Sequence, residues 1–268
     1  EISTAYDASA QKVVIAYKDI GNSNYGTAVV ATVSGTSISF GTPVVYESAS
    51  TIDPSVVYDS NAQKIVIAYA DNGNSNHGTA IVGTVSGTSI SFGTAVVFES
   101  AGTNDTRAAY HTAAQKIAIA YQDVDNSSYG TVIVGTVSGT SISFGSAAVF
   151  ESANSDSMFP VYDANAEKVV VPYRDNGNSN YGTAFVFQVA FTSTNLTAEN
   201  YIGISDAAYS DGVTATVQIV GSVDDAQSSL TAGQKYFVQL DGTLGLTAAD
   251  PEVFAGTAVS ATKLIVKG

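Results

Sequence analysis

Residues 64–85 read "KIVIAYADNGNSNHGTAIVGTV", two apolar runs on either side of a polar loop. The fold turns on whether that loop, "DNGNSNHG" at 71–78, is a site or a turn. It gathers a carboxylate, three asparagines, a serine and two glycines, as an ion-binding loop does, but it is not unique. "DIGNSNYG" begins at Asp19, "DVDNSSYG" at Asp123 and "DNGNSNYG" at Asp175, a spacing of 52 residues each time. Tyr17, Tyr69, Tyr121 and Tyr173 recur before the loop, and Glu47, Glu99 and Glu151 after it. A catalytic loop has no reason to be copied at fixed intervals. Repeats of this length are small supersecondary units that bury their apolar faces only against neighbours.

In the second copy, residues 54–59 ("PSVVYD") are β-branched and aromatic and close on the polar cluster "SNAQ", a strand followed by a turn. Along 64–70, Ile65, Ile67 and Tyr69 share one face and Val66 and Ala68 the other, so this strand is expected to be buried on both sides. A third strand is expected over 77–85, a tight turn at Gly87, and a fourth strand over 89–99 with a bend at Gly93. Four antiparallel strands in about 50 residues match one β-propeller blade. The expected fold is therefore all-β: a β-propeller-like array of repeats at 1–52, 53–104, 105–156 and 157–192, then a small C-terminal β module at 193–268. Tandem small β domains are the alternative. The fourth repeat has no counterpart of "VSGTSISFG", so either residues 190–205 complete it or further repeats precede the first. With "EISTAYD" at its start, the chain is expected to be a processed product or part of a longer propeller.

Ten Lys and Arg against 24 Asp and Glu give a net charge of -14, which repels phosphate and argues against nucleic acid as a partner. No cysteine is present, which excludes disulfides and thiolate metal sites. Apolar runs such as "VVIAY" at 13–17 are strand-sized, well short of the ~20 residues a membrane helix needs, and no membrane span is expected.

The loops admit two readings. As hairpin tips, their Asn, Gly, Asp and Ser supply left-handed backbone and local hydrogen bonds. As a loose oxygen-ligated calcium site, Asp19, Asp71, Asp123 and Asp175 would be the ligands, although the alternating pattern of a calcium loop is not met. No other cofactor is implied. Tyr25, His77, Tyr129 and Tyr181, beside Asn24, Asn76 and Asn180, are candidate sugar contacts, since flat rings meet apolar sugar faces and amides meet hydroxyls.

Catalysis on such an array needs groups that differ between repeats. The positions that break the repeat are His77, His111, Arg107, Asp125, Pro172 and Arg174, and the two histidines read as solvated polar residues. Sialidase chemistry clamps a carboxylate with three arginines, whereas only Arg107 and Arg174 exist here. Glu1, Asp53 and Asp105 at the start of the first strand, and Asp7, Asp59 and Asp163 at its end, recur and so read as rim or turn-capping groups before glycosidase carboxylates. Neither HExxH nor GxSxG nor a phosphate loop occurs, and the expectation is a protein that is not an enzyme.

The stretches "QKVVIAYKD", "GNSNYGTAVV" and "TVSGTSISFGTPVV", followed by "NLTAENYIGISD", "SLTAGQKYFVQLDGTLG" and "VFAGTAVSATKLIVKG", resemble the virion structural and tail-fibre proteins of marine bacteriophages with VrlC-like repeats. The likeness covers essentially the whole chain. It implies a non-enzymatic protein on a virion surface or otherwise extracellular. Its partners would be other virion structural proteins, copies of itself, or a cell-surface glycan. It carries no site residues across. A polysaccharide-degrading propeller enzyme and a cellular surface adhesin are the alternatives.

Overall fold

The computed structural model describes residues 1–189, 201–207, 214–238, 243–248 and 252–267, and the chain divides into two units, Glu1–Ala190 and Phe191–Gly268. The fold is all-β. Among the described residues no helix is long and apolar enough to cross a membrane.

The first repeat forms β1 (Ile2–Asp7), β2 (Lys12–Asp19), β3 (Tyr25–Ser34) and β4 (Ser37–Phe40). The second forms β5 (Val44–Asp59), β6 (Lys64–Asp71), β7 (His77–Ser86) and β8 (Ser89–Phe92). The third continues with β9 (Val96–His111), β10 (Lys116–Asp123), β11 (Tyr129–Ser138) and β12 (Ser141–Phe144). The fourth holds β13 (Ala148–Asp156), β14 (Val161–Asp163), β15 (Lys168–Asp175) and β16 (Tyr181–Phe187). All neighbours are antiparallel, in the order β1-β2-β3-β5-β6-β7-β9-β10-β11-β13-β15-β14, with β4, β8 and β12 paired to β3, β7 and β11, and β16 to β15.

The expected strands of the second repeat are present, and Gly87 turns with φ 61°. The bend at Gly93 separates β8 from β9 while its N–H still donates to the Val82 carbonyl at 2.9 Å. A side chain at Gly41 or Gly93 would overlap the carbonyl of Thr88 or Thr140 in the following repeat, so glycine is required there by close approach.

Where the sequence suggests one repeat ending and the next beginning, the chain runs on as a single strand. β5 pairs with β3 through Val44–Ser50 and with β6 through Thr51–Asp59. The strand changes sheets at a kink: Asp53 and Asp105 take φ 51° and 47°, and the register slips between Ile52 and Ser55. Aspartate tolerates this left-handed conformation better than most residues. In the fourth repeat the corresponding strand breaks into β13 and β14, where Pro160 has no N–H and restricts the residue before it.

Successive sheets pack face to face. One apolar cluster joins Val14, Ala16, Ala28 and Val30 of the first repeat to Ile65, Ile67, Tyr69 and Ile81 of the second. Another joins Val66, Ala68, Ala80 and Val82 to Ile117, Ile119, Tyr121 and Ile133. The middle sheets are thus buried on both faces, as the apolar alternation of 64–70 requires. Each fully buried Ile or Val stabilises the packing by about 1.5–3 kcal/mol. Tyr46 on Tyr69, Phe98 on Tyr121 and Phe150 on Tyr173, with ring centroids 5.2, 5.3 and 5.2 Å apart, repeat one aromatic contact across each junction.

The second unit contains β17 (Gly203–Ser205) paired with β18 (Val217–Ile219). Its other sheet has β19 (Val223–Asp224), β20 (Lys235–Val238), β21 (Leu244–Gly245), β22 (Phe254–Ser260) and β23 (Lys263–Val266), in the order β19-β23-β22-β20-β21. The segment "AVSATKLIVKG" reads in sequence as one strand, but it holds a hairpin turning at Ala261–Thr262, where Ser260 Oγ accepts the Thr262 N–H at 3.3 Å. Leu230, Tyr236, Ala255, Ala258 and Leu264 form its core. Most of residues 190–205, one expected source of the fourth repeat's missing edge, lies outside the described residues.

Candidate functional site

Each polar loop joins the second and third strands of its repeat. Asp19, Asp71 and Asp175 precede single 3-10 turns, and their Oδ1 atoms accept the N–H groups of Gly21, Gly73 and Asn178 at 3.1, 3.0 and 3.0 Å. Asp123 accepts from the Asn126 N–H at 3.3 Å. Two left-handed residues then close each of these three turns, Ser23–Asn24, Ser75–Asn76 and Ser179–Asn180, with φ between 55° and 63°. The carbonyls of Asn24, Asn76 and Ser128 accept the N–H groups of Thr51, Thr103 and Ser155 at 3.2, 2.9 and 3.1 Å. Those acceptors sit beside the point where the chain passes to the next sheet, so the loop holds the crossing strand.

The tips also pack against the preceding repeat. A side chain at Gly73 or Gly177 would overlap the methyl group of Ala49 or Ala153. In the third repeat Asp125 replaces this glycine, and Gly102 stands where the others have Ser50 and Asn154. Asp125 Oδ2 accepts the Gly102 N–H at 3.2 Å, and the Val124 N–H donates to the Gly102 carbonyl at 2.8 Å. The glycine has moved from loop to strand, and the close approach is kept.

Tyr25, His77 and Tyr129 begin their third strands half-buried, while Tyr181 is exposed. Asn72 Nδ2 donates to Asn76 Oδ1 at 2.8 Å across the second tip. The four aspartates named as calcium ligands belong to four different loops, each with an oxygen accepting its own loop's amide. Among the described residues no three His, Asp or Glu side chains are grouped so as to hold a metal ion.

The repeated carboxylates form a relay from one repeat to the next. Glu1 Oε2 accepts the Asp53 N–H at 3.0 Å, Asp53 Oδ2 the Asp105 N–H at 3.0 Å, and Asp105 Oδ2 the Ser157 N–H at 3.1 Å. Burial holds the Asp105 carboxyl above the usual range, opposed by the Ser157 amide and reinforced by Asp53. Glu47, Glu99 and Glu151 reach forward in the same way, accepting the hydroxyls of Tyr69, Tyr121 and Tyr173 at 3.1, 3.0 and 2.8 Å. Desolvation pushes Tyr69 and Tyr121 far above the ordinary phenol value, Tyr173 to about 12, and Glu47 above the usual carboxylate range.

Asp59 and Asp163 cap the first hairpin of their repeats, each accepting two backbone amides at 2.9–3.0 Å, and Asp7 accepts one at 2.9 Å. His111 takes this role in the third repeat. Its Nδ1 accepts the Ala114 N–H at 3.0 Å, so the ring proton lies on Nε2, which is 3.1 Å from the Glu167 carbonyl, and the ring packs on Tyr162 with centroids 4.3 Å apart. The sequence reading of His111 as a solvated residue is corrected: it is fully buried. Polarity alone suggested solvent, but the matching aspartates at that position were the signal for a cap.

Compared with models of known protein families and with curated proteins, the chain matches none.

Proposed function

We propose that this chain is a non-enzymatic structural protein of a virion surface or tail fibre, a propeller-like scaffold presenting its hairpin tips to a host-surface glycan or to neighbouring structural proteins, copies of itself included. The observation that carries this reading is where the repeated carboxylates go. Glu1, Asp53, Asp105, Glu47, Glu99 and Glu151 each accept a hydrogen bond from the following repeat. Carboxylates fixed by the same bond in successive repeats are structural, because acid-base chemistry needs two groups whose environments drive them apart. Such cross-repeat bonds suit a rigid scaffold.

The tips recur with an aromatic or imidazole ring beside asparagine amides in three of the four repeats, at Tyr25, His77 and Tyr181. Weak single contacts repeated on a rigid frame gain avidity. The likeness to marine phage virion proteins supports the particle as the location. A glycan array probed with the whole protein, with and without calcium, is expected to give binding that falls when the tip residues are replaced by alanine. An array without signal leaves only particle assembly, to be checked by mass spectrometry of purified virions. Reducing ends released from a polysaccharide would overturn the non-enzymatic reading.

A further inference from the structure

A cavity of about 370 Å³ opens where the first strands of all four repeats meet, and Glu1, Ser3, Asp53, Arg107 and Phe159 line it. Its residues come from the opening positions of the 52-residue unit. The third position is Ser3, Ser55, Arg107 and Phe159 in successive repeats, so a nearly uniform array becomes dissimilar at this place.

A structural reason frees these side chains. Ser3 Oγ accepts the Val56 N–H and Ser55 Oγ the Ala108 N–H, both at 3.0 Å, each serine bracing the next repeat. The following residue in the series is Pro160, which has no N–H to offer. A serine at 107 would find no donor there, and the position is released to arginine. Its Nη1 donates to the Thr106 carbonyl at 2.8 Å and its Nη2 reaches Asp53 Oδ1 at 3.4 Å, which uses two of the five guanidinium N–H groups. Phe159 is 62% exposed, with its ring centroid 5.8 Å from the Arg107 guanidinium carbon.

We propose that this cavity binds one neutral sugar ring. An anion would meet Glu1 and Asp53 on a chain of net charge -14, and a cation would compete with Arg107 for Asp53. A neutral polyol suits both signs: its hydroxyls accept from the guanidinium and donate to the carboxylates, and its apolar face lies on Phe159. The volume falls within the range of small-ligand pockets, about 300–1,000 Å³. This site is separate from the hairpin tips and does not depend on them.

The test is saturation-transfer NMR of the whole chain with free glucose, galactose, mannose and N-acetylglucosamine. At least one sugar is expected to bind with a Kd on the order of millimolar, and Arg107→Ser and Phe159→Ser each to weaken binding tenfold or more. Both substitutions install the residue already present at this position in the first two repeats, and circular dichroism and the thermal midpoint check that the fold is kept. With Tyr25, His77, Tyr129 and Tyr181 all changed to alanine, the sugar-induced shift of the Arg107 resonance is expected to persist, whatever the tips themselves add to the saturation transfer. In the unmodified protein the Arg107 Nε–Hε resonance should shift on sugar addition, a readout that needs no variant. No transfer from any of the four sugars, an unmoved Arg107 resonance, or binding undiminished in both serine variants would overturn the proposal. Binding lost only in the tip variant would overturn it too, while leaving the tips as the glycan surface.

Discussion

Cross-strand partners 18 residues apart change together through the repeats. Ile52 faces Ala70, Asn104 faces Gln122 and Asp156 faces Arg174, so one place in the sheet holds an apolar pair, an amide pair and an ion pair in turn. Asn104 Nδ2 donates to Gln122 Oε1 at 3.4 Å, and Arg174 Nε to Asp156 Oδ1 at 2.7 Å. That guanidinium holds Asp156 below the usual carboxylate range. Asp156→Ile combined with Arg174→Ala recreates the second repeat's pair and is expected to shift the urea midpoint less than either single change. The relay is tested by Asp105→Ala, which strips the acceptor from the Ser157 amide and should cost about 1–3 kcal/mol in urea denaturation, with Asp105→Asn costing less. These pairs were present in the sequence as matched substitutions at a fixed offset. The serine braces and the glutamate–tyrosine bonds were harder to read, because each links residues of different repeats whose side chains, taken singly, look like solvated polar groups or ordinary core residues.

At the scale of the element, alternation over 64–70 announced a strand buried on both faces, and the turn glycines marked its neighbours. The crossing strands β5 and β9 were not legible as single strands, because the left-handed Asp53 and Asp105 look like chain breaks when the sequence is read locally. The loop was legible as a turn from its repetition, but its packing on Ala49 was not, since that partner belongs to another repeat. Gly73→Ala is therefore expected to destabilise the fold by about 1–3 kcal/mol through overlap with Ala49. Asp125→Gly with Gly102→Ser, which restores the pairing used by the second repeat's loop, should be milder than Gly102→Ser alone in thermal melts.

For the molecule as a whole, among the described residues more carboxyls are raised by burial than are lowered by a cation. Desolvation, the leading cause in each case, raises Glu47, Asp105 and Asp123 above their ordinary values, whereas Arg174 lowers Asp156. The folded state thus binds protons at the first three sites more tightly than the unfolded chain does, and their contribution is present at low pH and lost as pH rises through the folded values. Asp156 contributes with the opposite sign, and its share is lost only as pH falls through a value below 3.8. The thermal midpoint is expected to rise as pH falls from neutral towards the ordinary carboxylate values, where the net charge of -14 is also partly relieved. Glu47→Gln keeps an acceptor for the Tyr69 hydroxyl, so it should flatten this dependence while sparing the fold.

Native-state amide hydrogen exchange on the intact chain tests most directly whether the repeats hold one another. Face-to-face packing predicts that the amides of Ile65–Ala70 and Ile117–Tyr121 exchange slowest and through one shared opening, with Val14–Ala16 and Val169–Val171 faster because their strands are fully buried only at alternate residues. Four repeats that open independently and at similar rates would contradict it.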